Sequence, residues 1–140
     1  MDSQETLPIK RMGKPDTETT EEVVKVLSKF YPAKTENLNR ELCQLLVYLK
    51  APDVITKSLA LMSAAPTQDE QIHYAFALRN VKAGWTPMQR RLYFSWFNRA
   101  LREYKGGNSF AKYLSNIRKD ALDTLTEFES AELASSSTSP

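Results

Sequence analysis

The stretch 66–122 contains Thr67-Gln68-Asp69-Glu70 and then Thr86-Pro87-Met88-Gln89, two consecutive helix-start signatures. Each has a hydroxyl at the N-cap and a Glu or Gln three residues later, so the two residues satisfy each other's free backbone amides. Gly84 lies between the two signatures, where a helix would end. The stretch therefore predicts short, capped helices joined by tight turns.

Further helices are predicted on the N-terminal side of this stretch. Helix one follows the capping box Thr19-Thr20-Glu21-Glu22 and ends at Pro32, and its inward face is Val23, Val26, Leu27 and Phe30. Helix two is capped by Asn37 and carries a stripe of leucines at the helical period. Helix three begins at Pro52, a residue favoured at the first helical position.

Four more helices complete the prediction. Helix four spans about 68–82, with an inward side formed by Ile72, Ala75, Phe76 and Arg79. Helix five spans about 87–105, helix six begins near Ser109, and a short seventh helix covers 126–133. The apolar residues of helix five recur at the helical period, and they are Leu92, Tyr93, Trp96, Phe97, Ala100 and Tyr104.

The predicted fold class is all-α, because every apolar segment has a period near 3.6 residues and none alternates as a strand would. Connections of a few residues force consecutive helices to pack antiparallel. We therefore expect an irregular α-α superhelix of six to seven short helices, similar to HEAT or ARM repeats. Residues 1–16 are expected to be a flexible stub of a preceding repeat, 17–133 the helical domain, and 134–140 a disordered Ser-rich tail.

The composition favours no membrane or nucleic-acid partner. Nineteen basic and seventeen acidic residues leave a net charge of +2, too small a surplus to indicate nucleic-acid binding. No apolar run approaches the roughly 20 residues of a membrane helix. The first residues lack the basic and apolar regions of a signal peptide. We expect a monomer in isolation, with no signal peptide of its own.

The chain has one cysteine, Cys43, and one histidine, His73. A c-type haem attachment motif needs two cysteines, and a structural zinc site needs more soft ligands than these two residues provide. Cys43 is expected to be a buried, unreactive residue. His73 could act as a general base beside Asp69 or Glu70, or it could donate one hydrogen bond between helices. We predict no catalytic residue, no metal and no cofactor in this chain.

A cationic cluster covers helices five and six: Arg90, Arg91, Arg99, Arg102, Lys105, Lys112, Arg118 and Lys119. Arginines among aromatic rings can hold phosphates while the rings stack bases. Alternatively, their stems cover the aromatic core face and their charges stay in water. Gly106-Gly107-Asn108-Ser109 could bind an anion at the start of helix six or could simply form a tight turn. The candidate docking surface is Arg99, Arg102, Lys105 and Lys112.

Several segments carry a family resemblance: residues 41–49, residues 65–75, Gly84-Trp85-Thr86-Pro87 with residues 93–100, and residues 106–110 with Asn116-Ile117-Arg118. In this order they resemble the helical segment of large exported bacterial proteins described as L-sorbosone dehydrogenase-like or putative haem-binding proteins. In that family a β-propeller comes first, HEAT-like helices follow, and a c-type cytochrome domain lies further on. The resemblance covers roughly residues 7–133.

The resemblance implies that this chain is a middle piece of an exported sugar dehydrogenase. It lacks both the propeller and the haem-attachment motif, so no catalytic residue of the family can be assigned to it. The expected function is a non-catalytic scaffold or docking domain that contacts the neighbouring domains of its parent, or another protein. The alternative is a binding module for an anionic ligand or partner through the cationic face of helices five and six.

Overall fold

A computed structural model of the chain describes residues 17–103 and 107–137, with side chains described as far as residue 134. Seven α-helices lie within these ranges, and the described residues contain no strand. They are α1 (Thr17–Ser28), α2 (Glu36–Tyr48), α3 (Val54–Ala64), α4 (Gln68–Leu78), α5 (Pro87–Glu103), α6 (Asn108–Leu122) and α7 (Glu127–Ser137). The all-α prediction is confirmed.

Both predicted N-caps in the central stretch form, the first through a single bond and the second as a reciprocal pair. The Glu70 amide donates to the Thr67 hydroxyl at 3.2 Å. Before α5, the Gln89 amide donates to Thr86 Oγ1 at 3.1 Å, and the Thr86 amide donates to Gln89 Oε1 at 2.9 Å. This reciprocal pair is a complete capping box, so hydroxyl-to-Gln spacing alone located the start of the longest helix.

Other helix ends differ from the sequence predictions. Helix α1 begins at Thr17, ahead of the predicted capping box, and α3 begins at Val54 rather than at Pro52. The cap of α2 is Thr35, whose hydroxyl accepts from the Leu38 amide at 3.2 Å. Asn37 was the wrong choice because the chain is already helical there, while Thr35 has the extended backbone that an N-cap requires.

The C-terminal ends of α4 and α7 also differ from the predicted boundaries. Helix α4 ends at Leu78, four residues before the predicted Lys82, and the Arg79 guanidinium donates to the Phe76 carbonyl at 2.9 Å. That bond satisfies one of the carbonyls that a helix end leaves free. Helix α7 continues to Ser137, past the predicted boundary at residue 133. The predicted flexible segment 1–16 and residues 138–140 lie outside the described residues.

Packing is mostly between consecutive helices, with α4 also against α2 and α6, α3 against α5, and α5 against α7. The faces differ in part from the predicted ones. Tyr93, Trp96, Phe97 and Ala100 of α5 are buried as expected, but Leu92 is 56% exposed. In the N-terminal region Val24 and Leu27 pack on the core. Val26 and Phe30, which were assigned to that face, are 50% and 60% exposed.

Helix α4 is rotated relative to its predicted face. It buries Tyr74, Ala75 and Leu78, and Ile72 packs at the edge of the core. Phe76 is more exposed, and its ring stacks on Tyr113 with 6.4 Å between centroids. Because apolar residues occupy most of the circumference of α4, periodicity alone did not single out one inward face.

Candidate functional site

Among the described residues of the cationic cluster, Arg90 alone is almost fully buried. Only 2% of its surface is exposed. Its Nε donates to Glu129 Oε2 at 3.2 Å and its Nη1 to the Thr124 hydroxyl at 3.1 Å. Its Nη2 donates to the Lys82 carbonyl at 3.2 Å, and the guanidinium lies 4.5 Å from the ring centroid of Trp85. Arg90 therefore joins α5 to α7, to the loop before α5 that contains Lys82, and to the loop before α7 that contains Thr124. It is not available to a ligand.

Glu129 completes this network and also caps α7. Its Oε1 accepts from the Thr126 amide at 3.0 Å and from Arg90 Nη2 at 3.3 Å. Burial would raise the pKa of Glu129, but the hydrogen bonds from Thr126 and the Arg90 guanidinium outweigh it and hold that pKa below its ordinary value. Burial lowers the pKa of Arg90, and Glu129 opposes that shift.

The sequence contains a signal for this network that the cluster interpretation overlooked. Arg90 precedes Tyr93 by three residues and Phe97 by seven, so it lies on the apolar face of α5. A charged residue on a core face needs a charged or polar partner. The Thr126-x-x-Glu129 box supplies that partner, but nothing local in the sequence links two sites that are 39 residues apart.

The candidate docking surface lies on exposed side chains. Arg99 and Arg102 of α5 and Lys112 of α6 are exposed, and none of them makes an ion pair with a described residue. Lys105 lies outside the described residues. Because α5 and α6 are consecutive and pack together, the end of α5 and the start of α6 lie at the same end of this pair. The three described residues are therefore grouped at one end of the pair.

The aromatic residues of α5 are not a base-stacking platform. Tyr93, Trp96 and Phe97 are buried, and Phe97 packs edge-on against the other two at about 5 Å between centroids. The Tyr93 hydroxyl donates to the Ala75 carbonyl at 2.6 Å. Burial raises the pKa of that hydroxyl. These rings form the core beneath the cationic surface, which favours the interpretation in which arginine stems cover a core helix.

The residue before α6 is a glycine. Gly107 is the N-cap of α6 and makes no side-chain cap bond, and its carbonyl accepts from the amides of Phe110 and Ala111. Gly106 lies outside the described residues. The Gly107 segment therefore begins the helix through its backbone alone.

Arg91 and Arg118 face a groove between α5, α6 and α7. The groove has a volume of about 570 Å³ and is lined by Arg91, Phe94, Asn98, Arg118, Leu125 and Leu133, among others. Arg118 lies 6.0 Å from the ring centroid of Phe94. Its Nε is buried and has no hydrogen-bond partner. Both arginines belong to the cationic cluster predicted from the sequence. Nothing in the sequence distinguishes these two groove-lining residues from the exposed members of the cluster.

His73 lines a different groove of about 410 Å³ with Arg40, Asp69 and Tyr113. Burial, followed by the nearby Arg40 charge, lowers the pKa of His73. The lowered pKa favours the neutral imidazole. Arg79, which pairs with Asp120 at 3.3 Å, and the buried Tyr93 do not line this groove.

Cys43 is buried, as the sequence predicted. Its Sγ lies 3.3 Å from the Ser58 hydroxyl, which lies 2.7 Å from the Tyr31 hydroxyl. Burial raises the pKa of the Cys43 thiol. A buried thiol held in its neutral form is a poor nucleophile. This polar trio joins α2, α3 and the turn after α1.

Within 17–103 and 107–137, no group of three or more His, Cys, Asp or Glu side chains is placed to hold a metal ion. No helix among those residues is both long and apolar enough to cross a membrane.

Comparison of the chain with protein-family models, with curated proteins and with solved structures finds no match.

Proposed function

We propose that this chain is a non-catalytic helical scaffold or docking domain, part of a larger exported sugar dehydrogenase of the L-sorbosone type. The parent and its domain order come from the sequence resemblance alone. In that order a propeller precedes the helices and a c-type cytochrome domain follows them. The chain would hold these domains together and would need neither a cofactor nor a catalytic residue of its own.

Two exposed apolar side chains at the C-terminal end of α1 are the observation that carries this proposal. Helix α1 has no buried residue, and Val26 on α1 and Phe30 in the following turn are half exposed or more. Neighbouring exposed apolar side chains often mark a contact with another protein or domain. Val26 and Phe30 are four residues apart among exposed Thr, Glu and Lys residues, so they fit a contact with a preceding domain.

The buried polar groups support a structural role. Asn39 accepts from the Ala33 amide at 2.6 Å and donates to the Ala33 carbonyl at 3.2 Å, which fixes the loop between α1 and α2. Arg90 and Glu129 connect α5 to α7. Each network joins secondary-structure elements, which is how a scaffold uses buried polarity.

The test begins with the reading frame that encodes the chain, which should also encode a propeller before it and a haem-binding domain after it. The purified propeller should then bind this chain. Changing Val26 and Phe30 together to Lys should weaken that binding about a hundredfold, since two apolar anchors are lost. Leu92→Lys is the matched control, because Leu92 is equally exposed but lies on α5.

A frame without a propeller would contradict the parent assignment. Binding that resists the Val26 and Phe30 changes would contradict the assigned docking face. Thermal unfolding of the double variant should match that of the original chain, because neither side chain is buried.

The alternative function is binding of an anionic ligand or partner through Arg99, Arg102, Lys105 and Lys112. The absence of ion pairs at the three described residues favours it, because their charges are available. This alternative predicts a saturable footprint on α5 and α6 that weakens steeply with salt. If all four residues only keep the surface soluble, changing them to Gln should alter stability by a few tenths of a kcal/mol per site and remove no binding.

A further inference from the structure

We propose that the groove between α5, α6 and α7 binds a small organic acid, with its carboxylate on Arg118 and Arg91 and its apolar body along Phe94 and the leucines. This site is separate from the exposed docking residues, and it does not depend on the role proposed for α1.

The size of the groove suits a small molecule. Its volume of about 570 Å³ lies within the range of ligand pockets, about 300–1,000 Å³. Three helices form its walls, and the pairs α5–α6 and α5–α7 pack directly against each other. The groove is therefore a concavity of the helical framework itself.

The charge of the groove is the strongest argument for an anion. Arg91 and Arg118 line it, and no aspartate or glutamate is among its described lining residues. Neither arginine makes a hydrogen bond or an ion pair with a described residue. By contrast, Arg79 and Arg90 pair with Asp120 and Glu129. The guanidinium groups of Arg91 and Arg118 therefore lack a carboxylate partner, whereas those of Arg79 and Arg90 have one.

Arg118 is the better placed of the two. Its Nε is buried and lacks a partner, although a buried guanidinium N–H without an acceptor costs free energy. A planar guanidinium presents paired N–H donors that match the two oxygens of a carboxylate. Because Nε itself is closed to solvent, a bound carboxylate would reach Arg118 through the part of its guanidinium that lines the groove.

The other residues that line the groove indicate the chemical character of the uncharged part of the acid. Phe94 is buried, Leu125 and Leu133 are half-buried, and all three line the groove. Ser95, Asn98 and Ser130 add neutral polar groups at its sides. A single charged end beside an apolar floor fits an acid with an aromatic or branched body better than it fits a polyphosphate.

Two other grooves lack this combination. The His73 groove contains Asp69, and its Arg40 is paired with Glu36. The groove beside Trp85 contains Glu129 and Glu132 together with Arg90. In both, carboxylates of the protein occupy the position that an acidic ligand would need.

The experiment titrates the full chain with three probes: hydrocinnamate, its uncharged analogue hydrocinnamyl alcohol, and inorganic phosphate. Backbone amide shifts are followed by NMR. Hydrocinnamate should bind with a Kd of about 1 mM, as expected for a ligand of this size. Its footprint should cover Phe94, Arg118 and Leu133. The alcohol and phosphate should each bind about tenfold more weakly, because the alcohol lacks the carboxylate and phosphate lacks the apolar body.

Matched variants locate the charge. Arg118→Gln and Arg91→Gln should each weaken hydrocinnamate binding, by about tenfold for Arg118. Arg99→Gln should leave it unchanged, since Arg99 is on the exposed surface of the same helix outside the groove. Thermal unfolding verifies that each variant is folded, and Arg91→Gln serves alone if Arg118→Gln does not fold.

The proposal is overturned by equal binding of acid and alcohol, by equal binding of acid and phosphate, or by absence of saturation with hydrocinnamate. It is also overturned if Arg99→Gln weakens binding as much as Arg118→Gln does, because the charge would then act from the exposed surface. None of these outcomes bears on the docking role of α1, which is tested with the propeller.

Discussion

At the scale of single residues, Lys50 has the least favourable backbone conformation described for a non-glycine residue. It follows α2 with φ of 60°, in the left-handed region. The Lys50 amide donates to the Val47 carbonyl at 3.0 Å, and the Ala51 amide donates to the Leu46 carbonyl at 2.9 Å. This is the hydrogen-bond pattern of a Schellman motif, in which the left-handed position is usually glycine. The sequence does not signal it, because lysine occupies that position.

Lys50→Gly should therefore stabilise the protein. Relief of left-handed strain exceeds the extra chain entropy of glycine, so the free energy of unfolding should rise by about 1 kcal/mol. Urea unfolding measures this change. Lys50→Ala is the control, because alanine keeps the strain and loses only an exposed side chain. A glycine variant no more stable than the alanine variant would contradict the motif.

At the scale of helices, α7 depends on Glu129, which both caps it and pairs with Arg90. The pKa of Glu129 is lowered from 4.5 in the folded protein, so its stabilising effect is present above pH 4.5 and is lost as the pH falls through the lowered value. Glu129→Gln should reduce the free energy of unfolding by about 2 kcal/mol at pH 7, because Arg90 is left buried without its charge partner.

Chemical unfolding at several pH values below and above 4.5 tests this linkage. The acid-induced loss should be smaller in Glu129→Gln than in the original chain. Glu127→Gln is the matched control, an exposed carboxylate in the same first turn. Parallel pH profiles for the Glu129 variant and the original chain would show that the Arg90–Glu129 pair does not set the stability of α7.

Helix positions were predictable where one capping residue had no competitor. Thr86 and Gln89 located α5, and Thr67 located α4. Helix α2 was misplaced because Thr35 and Asn37 are both good caps, and only the backbone conformation distinguishes them. At α4 the apolar residues surround most of the helix, so the inward face followed from its neighbours rather than from its period.

At the scale of the whole molecule, the periodicity identified α-helices but could not say which helices meet. Contacts of α2 with α4 and of α3 with α5 join elements that are not consecutive. A stripe of apolar residues identifies the buried face of a helix but does not indicate which other helix packs against that face. The same limit explains the site: Arg91 and Arg118 were both noted as cations, but their common groove exists only after α7 closes one side of it.

Trp96 shows how one side chain joins α5 to α4, and its removal tests the arrangement. It is 3% exposed, its ring packs edge-on against Phe97 at 5.0 Å, and its indole N–H donates to Gln71 Oε1 of α4 at 3.0 Å. Trp96→Ala should reduce the free energy of unfolding by about 3–5 kcal/mol through the cavity and the lost hydrogen bond to Gln71. That is a large part of the roughly 5–15 kcal/mol that holds a domain of this size folded.

Denaturant unfolding of Trp96→Ala is compared with two other variants. Leu92→Ala, one turn earlier on the same helix but 56% exposed, should change stability by no more than about 0.5 kcal/mol. Trp96→Phe should fall between the two, because it keeps an aromatic ring in the core and loses the bond to Gln71. If Trp96→Ala were no more destabilising than Leu92→Ala, the buried face of α5 would have to be the opposite one. The groove lined by Phe94 would then lose its floor as well.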